Sequence, residues 1–360
     1  MAKKKGVVVD GKTLEERLEQ MTRKFGQSII QPLSRATIKR LEVISTGCLA
    51  LDQITEGGGF PRTCFSEIWG RQSIGKTSLL SSCAAELSEL GGSTVLIDME
   101  HKLQTDYFKE CVEAAGGVAA YITQIKPATG RDCLESVLDL IGFADLIIID
   151  SIAAVVTTAQ MDAGDVEDKF WAAQARLITE FVQRVRPKLG VCGPHNPLMP
   201  VATAIVGINQ VRADMEAKGG DKLKASGAWA WRHALSLQIK LTGGSVKVGF
   251  DGLPAWIEVN SWVRKNVIGR PDRRATFGIR FGVGIDPAMD VIQVGTELGV
   301  IVKKGSHYYL PDETKLGQGV DRVAEVLTAQ PKLLAQLRQE TAERIRNEAL
   351  VSSEEAPQEV

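Results

Sequence analysis

The nonapeptide Gly70-Arg71-Gln72-Ser73-Ile74-Gly75-Lys76-Thr77-Ser78 has the G-x-x-x-x-G-K-[ST] spacing of a loop that cradles phosphate. Each residue type answers a physical need. Gly70 and Gly75 let the backbone curl until successive N–H groups point inward at an anion. Lys76 adds positive charge toward the β- and γ-phosphates, and the Thr77 hydroxyl is placed to ligate Mg²⁺. The loop needs a strand before it and a helix after it, because the helix's positive dipole end then faces the same anion. Residues 64–69 read as that strand, and Leu79, Leu80, Cys83, Ala84 and Leu87 recur at helical spacing. This context separates the motif from a chance match in a glycine-rich turn. It makes ATP with Mg²⁺ the expected ligand.

Further chemistry must come from elements that reach the same place. Apolar runs rich in β-formers occur at 94–98, 146–151 and 203–209, separated by helical stretches at 79–90, 131–143 and 170–186. Nearly continuous apolar strands alternating with helices imply a parallel sheet covered on both faces. Open sheets of this kind put ligand chemistry at the C-terminal ends of their strands. Four residues there are candidates. Asp150 ends an apolar strand and suits a carboxylate that holds Mg²⁺ directly or through water. Glu100 is placed to orient and deprotonate an attacking water, Gln210 to sense the γ-phosphate, and Tyr107 to stack on adenine. A lone acid at a strand end is more simply a helix cap or a loop residue. Asp150 and Glu100 together behind a phosphate loop favour the catalytic reading. His101 is read as structural.

Composition bounds the rest. A chain of 360 residues holds one large domain and one or two small ones, with ordinary hydrophobic (44%) and charged (24%) fractions. A net charge of −1 means that nucleic-acid binding must come from local basic patches. No apolar run approaches the ~18 residues of a membrane span, and the valines after Lys3-Lys4-Lys5 are too few for a signal peptide. Six scattered cysteines without a C-x-x-C pair suit neither a disulfide framework nor a zinc site, so a reducing cytoplasm is expected. Cys192 and His195 lie in a stretch, 187–201, read as a proline-rich surface loop; two ligands do not make a metal site. Leu14, Leu18, Met21 and Phe25 form one stripe of an amphipathic helix over 13–25, either packed on its own core or docked on a neighbouring subunit.

Taken in order, Ile44-Ser45-Thr46-Gly47 with Leu51-Asp52, the phosphate loop, Asp98-x-Glu100-His101, Ile149-Asp150-Ser151, Asn209-Gln210-Val211-Arg212, residues 277–285 and Leu316-Gly317-Gln318-Gly319 form a specific series. Over roughly residues 13–345 the chain resembles the bacterial or phage RecA-type recombinases. The resemblance implies that Glu100 activates water, Gln210 senses the γ-phosphate and Tyr107 stacks on adenine. It also implies that ATP lies between subunits of a helical filament on DNA. The family holds DNA on two loops. The first, 161–171, is acidic here, and Met161, Phe170 or Trp171 would wedge against bases. The second, 211–233, carries Arg212, Lys218, Lys222, Lys224 and Arg232 among glycines and Trp229 and Trp231, a mixture suited to single strands. The two tryptophans are open to either reading, stacking on bases or core. The family also places two lysines that reach the neighbouring subunit's ATP. Lys265 occupies the first position, but Val267 stands at the second.

The expected fold is α/β: a P-loop ATPase core with a parallel-dominated, twisted sheet covered by helices, an N-terminal helix and a small C-terminal α/β domain. The expected divisions are 1–36 (oligomerisation helix), 37–285 (ATPase core), 286–349 (C-terminal domain) and 350–360 (acidic, disordered tail). The expected activity is DNA-dependent ATP hydrolysis, with filaments on single-stranded DNA that pair with homologous double-stranded DNA. The expected setting is the cytoplasm of a bacterial or phage-infected cell, with no membrane partner. The rivals are an accessory ATP-binding relative without strand exchange, a hexameric helicase or repair ATPase, and a metabolic P-loop kinase.

Overall fold

The structure, a computed structural model, describes residues 13–25, 41–158, 167–213, 223–225, 229–248 and 254–354. It divides into two units, 1–40 and 41–360. In the first, α1 (Leu14–Phe25) starts from a reciprocal cap: Thr13 N–H donates to Glu16 Oε2 and Glu16 N–H to Thr13 Oγ1.

The second unit is built on one large sheet. In chain order its first elements are β1 (Val43–Ile44), α2 (Leu49–Thr55), β2 (Phe60–Pro61), β3 (Phe65–Gly70), α3 (Lys76–Glu89), β4 (Thr94–Asp98) and α4 (Thr105–Ala114). Next come β5 (Ile122–Ile125), α5 (Gly130–Leu140), β6 (Leu146–Asp150), α6 (Ile152–Thr158), α7 (Glu167–Val191) and β7 (Ala204–Ala213). Then follow β8 (Leu223–Ala225), α8 (Trp229–Ala234), β9 (Leu235–Val248), β10 (Pro254–Asn266), β11 (Arg274–Arg280) and β12 (Gly284–Ile285). The strand order is β12-β11-β10-β9-β3-β7-β6-β4-β5, with β8 paired to β7. From β9 to β5 all neighbours are parallel, while β10, β11 and β12 form an antiparallel meander.

Side-chain alternation explains the two helical layers. On β6, Leu146 and Ile148 pack with Leu79, Leu80 and Leu87 of α3 in one cluster. Ile147 and Ile149 face the other way, toward Leu134 of α5, Phe181 of α7 and Trp231 of α8. Among the described residues no helix is long and apolar enough to cross a membrane.

A C-terminal module follows: α9 (Pro287–Glu297), the antiparallel strands β13 (Val302–Lys304), β14 (His307–Tyr309) and β15 (Lys315–Gln318), then α10 (Val320–Thr328) and α11 (Pro331–Glu354). Its apolar residues belong to the same cluster as α2 and α3. Two expectations need correction. Helix α7 runs through Pro187 to Val191, so only the later part of 187–201 is loop, and Cys192 is buried. Helix α11 continues to Glu354, taking in the first residues of the expected tail, while 355–360 lie outside the described residues.

A polar knot fastens this module to the core. Arg338 of α11 donates to Glu86 Oε2 of α3 (2.8 Å) and to the Gly47 carbonyl (3.0 Å). Its other terminal nitrogen is 3.7 Å from Asp290, whose carboxylate accepts the Leu49 and Ala50 N–H groups at the start of α2. Beside it, Asp52 is bonded to Ser45 Oγ (2.6 Å) and accepts from Thr46, and burial with Glu86 nearby pushes it up to about 7. The folded protein therefore holds a proton that the unfolded chain releases at lower pH. Stability from this group is present below about pH 4 and declines as pH rises toward 7. Asp52→Asn keeps the acceptor for Thr46 and donates to Ser45. Urea midpoints measured from pH 4 to 8 should fall across that window in the parent and flatten in the variant.

Candidate active site

Strand register brings the candidate residues to one end of the sheet, with Asp150 level with Ile208, two residues short of Gln210. Gly70 at the end of β3 pairs with Gln210 of β7, and Asp98 at the end of β4 pairs with Asp150 at the end of β6. The loop after β3 curls as its glycines allow. Gly75 has φ 91°, and a Cβ on Gly70 would sit 2.5 Å from the Leu241 carbonyl oxygen. Arg71, Gln72 and Ser73 are exposed, while Ile74 is buried and anchors the turn.

Helix α3 starts at Lys76 with no side chain capping its first turn, so its N–H groups remain available to an anion. Lys76 is buried and folds over the loop, donating to the carbonyls of Gly70 (3.1 Å) and Arg71 (2.7 Å). Burial lowers its pKa, opposed by Asp150 and Glu100. Thr77 Oγ1 lies 3.4 Å from Asp150 Oδ2. Burial, then Glu100 and Asp98, push Asp150 up to about 6. Asp150 and Glu100 act on one buried lysine, with Asp98 acting on Asp150, so among the described residues the site is short of positive charge. A hydroxyl beside a carboxylate is also a donor set for a hard cation. The residues therefore fit a nucleotide accompanied by Mg²⁺.

Glu100 follows β4, and its Oε1 accepts from Ser151 Oγ (2.6 Å) and Gln210 Nε2 (2.7 Å). Tyr107, half-buried on α4, has its hydroxyl 3.3 Å from Ser78 Oγ beside the first turn of α3. His101 is exposed, with φ 52°. Lys76, Thr77, Glu100, Asp150 and Gln210 thus stand together.

The expected DNA contacts are described only in part. Met161, Lys218 and Lys222 lie outside the described residues, as do the side chains of Phe170 on α7, Arg212 on β7 and Lys224 on β8. The first loop is shorter than expected, since α7 already begins at Glu167. In the second segment the tryptophans separate. Trp229 is 69% exposed and lies 3.7 Å from the His233 ring, and Arg232 is also exposed. Trp231 is fully buried with Phe65 and Phe181, and its indole N–H donates to Glu67 Oε1 (2.8 Å). The core reading wins there.

Lys265 stands apart. It pairs with Gln238, which pairs with Glu67, three residues before Gly70 on β3. Its ammonium donates to the carbonyls of Arg232 and His233, just before β9 begins. At about 3.3 Å per residue along a strand, it points to the end of the sheet opposite its own phosphate loop. Around it, Arg270 and Arg273 are bound to Glu56, while Arg264 and Arg274 stack on Trp262.

Two residues escaped the sequence reading. Glu67 is a fully buried carboxylate that accepts from Asn209, Trp231 and Gln238; its signal was a charge inside an apolar strand. Ser151, fully buried, reaches Glu100 and was visible only as a hydroxyl following a strand-end acid. Trp231→Ala should cost about 3–5 kcal/mol of stability in urea unfolding. Trp229→Ala should stay within about 0.5 kcal/mol of the parent.

Comparison with known proteins accounts for the chain almost end to end. The family model of the RecA N-terminal domain matches residues 12–286, and that of the RecA C-terminal domain matches 289–346. Protein RecA of Thermus aquaticus is 33% identical over 348 residues, covering 96% of this chain and 97% of that one. Protein RecA of Aquifex aeolicus is 33% identical over 335 residues, 92% of each chain. The Nostoc protein of the same name is 31% identical over 345 residues, 95% of this chain and 92% of its own. With its strands, its phosphate loop and nearly its whole length accounted for in this way, the chain belongs to the RecA family of DNA-dependent ATPases that catalyse recombination.

Proposed function

We propose that this recombinase forms helical filaments on single-stranded DNA and pairs them with homologous double-stranded DNA, with Glu100 as the base for ATP hydrolysis. The observation that carries the reading is the meeting of Lys76, Thr77, Asp150, Glu100 and Gln210 at one end of the sheet. Bound ATP with Mg²⁺ supplies the γ-phosphoryl group and cationic charge. Gly70 to Ser78 wrap the phosphates, with backbone N–H groups and Lys76 facing them. Thr77 and Asp150 would hold the cation, Asp150 by way of a water, and Tyr107 would stack on adenine. Glu100 takes the proton of the attacking water, and Gln210 answers to the γ-phosphate. Met161, Phe170, Arg212, Lys218, Lys222, Lys224, Trp229 and Arg232 contact DNA. The amphipathic α1 joins one subunit to the next.

Lys76→Ala should abolish turnover stimulated by single-stranded DNA. Glu100→Gln should retain ATP binding and DNA-bound filaments while turnover falls roughly 10²-fold or more. Turnover at the parent rate in either variant would remove the assignment.

The position of Lys265, turned from its own loop, supports a role at the neighbouring subunit's phosphates. Val267, 57% exposed, leaves that role to one lysine. Subunits carrying Lys76→Ala, mixed with subunits carrying Lys265→Ala, should recover DNA-stimulated hydrolysis that neither shows alone. No recovery in verified mixed filaments rules out the role across the interface.

A further inference from the structure

The two hydrogen bonds to Glu100 fall on one oxygen. Ser151 Oγ and Gln210 Nε2 both reach Oε1, and among the described residues no donor reaches Oε2. An ionised carboxylate accepts on both oxygens, so this arrangement pins one and leaves the other free to take a proton.

The two donors differ in kind. Gln210 is half-buried, carries a long side chain and sits level with Gly70, where a γ-phosphate would compete for its amide. Ser151 is fully buried. Its carbonyl accepts from the Ala154 and Val155 N–H groups in the first turn of α6, and it directly follows β6. Its backbone is therefore held by a strand end and a helix start at once, and its buried hydroxyl donates to Glu100. If Gln210 turns to the phosphate, Ser151 alone of these two still holds the Glu100 carboxylate.

We infer that Ser151 is a positioning residue for ATP hydrolysis: its hydroxyl holds Glu100 Oε1 so that Oε2 faces the attacking water. The inference rests on Glu100 being the base. Ser151 does not touch the nucleotide in this scheme, so its removal acts on the chemical step and not on binding. A hydroxyl that merely satisfies a buried carboxylate would instead affect folding and leave the rate of the folded protein alone.

The test is a double-mutant cycle on the full-length protein at saturating single-stranded DNA. Hydrolysis is followed in single turnovers for the parent, Ser151→Ala, Glu100→Gln and the double variant. Ser151→Ala should lower the rate about tenfold or more, as expected for a misaimed base, with KM for ATP and DNA affinity unchanged. In the Glu100→Gln background the same change should cost nothing further. Equal losses in both backgrounds would mean that Ser151 acts through the fold, and overturn the inference. So would a parent-like rate in Ser151→Ala. If that variant does not fold, Ser151→Cys keeps the volume with a weaker donor, and an undiminished rate there overturns the inference too. A parent-like rate in Glu100→Gln would remove the base assignment itself, and this inference with it.

Discussion

The groups that meet at the candidate site come from strands far apart in sequence, and register brings them to one end of the sheet. Gly70 lies opposite Gln210, and Asp98 opposite Asp150, because β3, β7, β6 and β4 run parallel and in step. Side chains on a strand alternate between faces, so a slip of one residue exchanges them. On β7 the exchange would be severe. Asn209 now donates to the buried Glu67 on one face while Gln210 reaches Glu100 on the other. The apolar residues of β6, divided between two helical layers, lock that register in place.

Within that frame the electrostatics are unbalanced. Asp98 and Glu100 both press on Asp150, against which Lys76 is the cation among the described residues, and burial raises Asp150 while it lowers Lys76. Both shifts work against the charged forms, so the site favours a ligand that brings both anionic and cationic groups. Lys76, bonded back onto its own loop, needs only to exchange two carbonyls for phosphate oxygens. The remaining basic residues of the 264–274 cluster are engaged elsewhere, on Glu56 and on Trp262.

Much of this was legible in the chain. The phosphate loop declared itself because its geometry admits few residues: Gly70 has a carbonyl where a side chain would be, and Gly75 is left-handed. Asp150 and Glu100 could be found because one ends a continuous apolar strand and the other closely follows one. The limits are as physical as the successes. Pro187 promised a break, yet a helix already anchored by Phe181, Val185 and Leu189 in the core carries through it. Trp229 and Trp231 looked alike, because local composition does not reveal which of two neighbours will find a buried carboxylate. Ser151 showed only as a hydroxyl after a strand-end acid, since a serine's partner is decided by which strands lie side by side.

Arg338 joins the last helix to the helix whose first turn bears the phosphate loop. The two family matches part between residues 286 and 289, yet that parting is one of sequence and not of energetics. Without the C-terminal module, Glu86 would lose its cation, the Leu49 and Ala50 N–H groups would lose Asp290, and the shared apolar cluster would be laid open. Such a division turns a satisfied interior into an unsatisfied surface. Stability of the catalytic end is therefore coupled to α9 and α11, far along the chain from the phosphate loop. The nucleotide-binding core and the C-terminal module share one interior, and a change that loosens either one weakens the other.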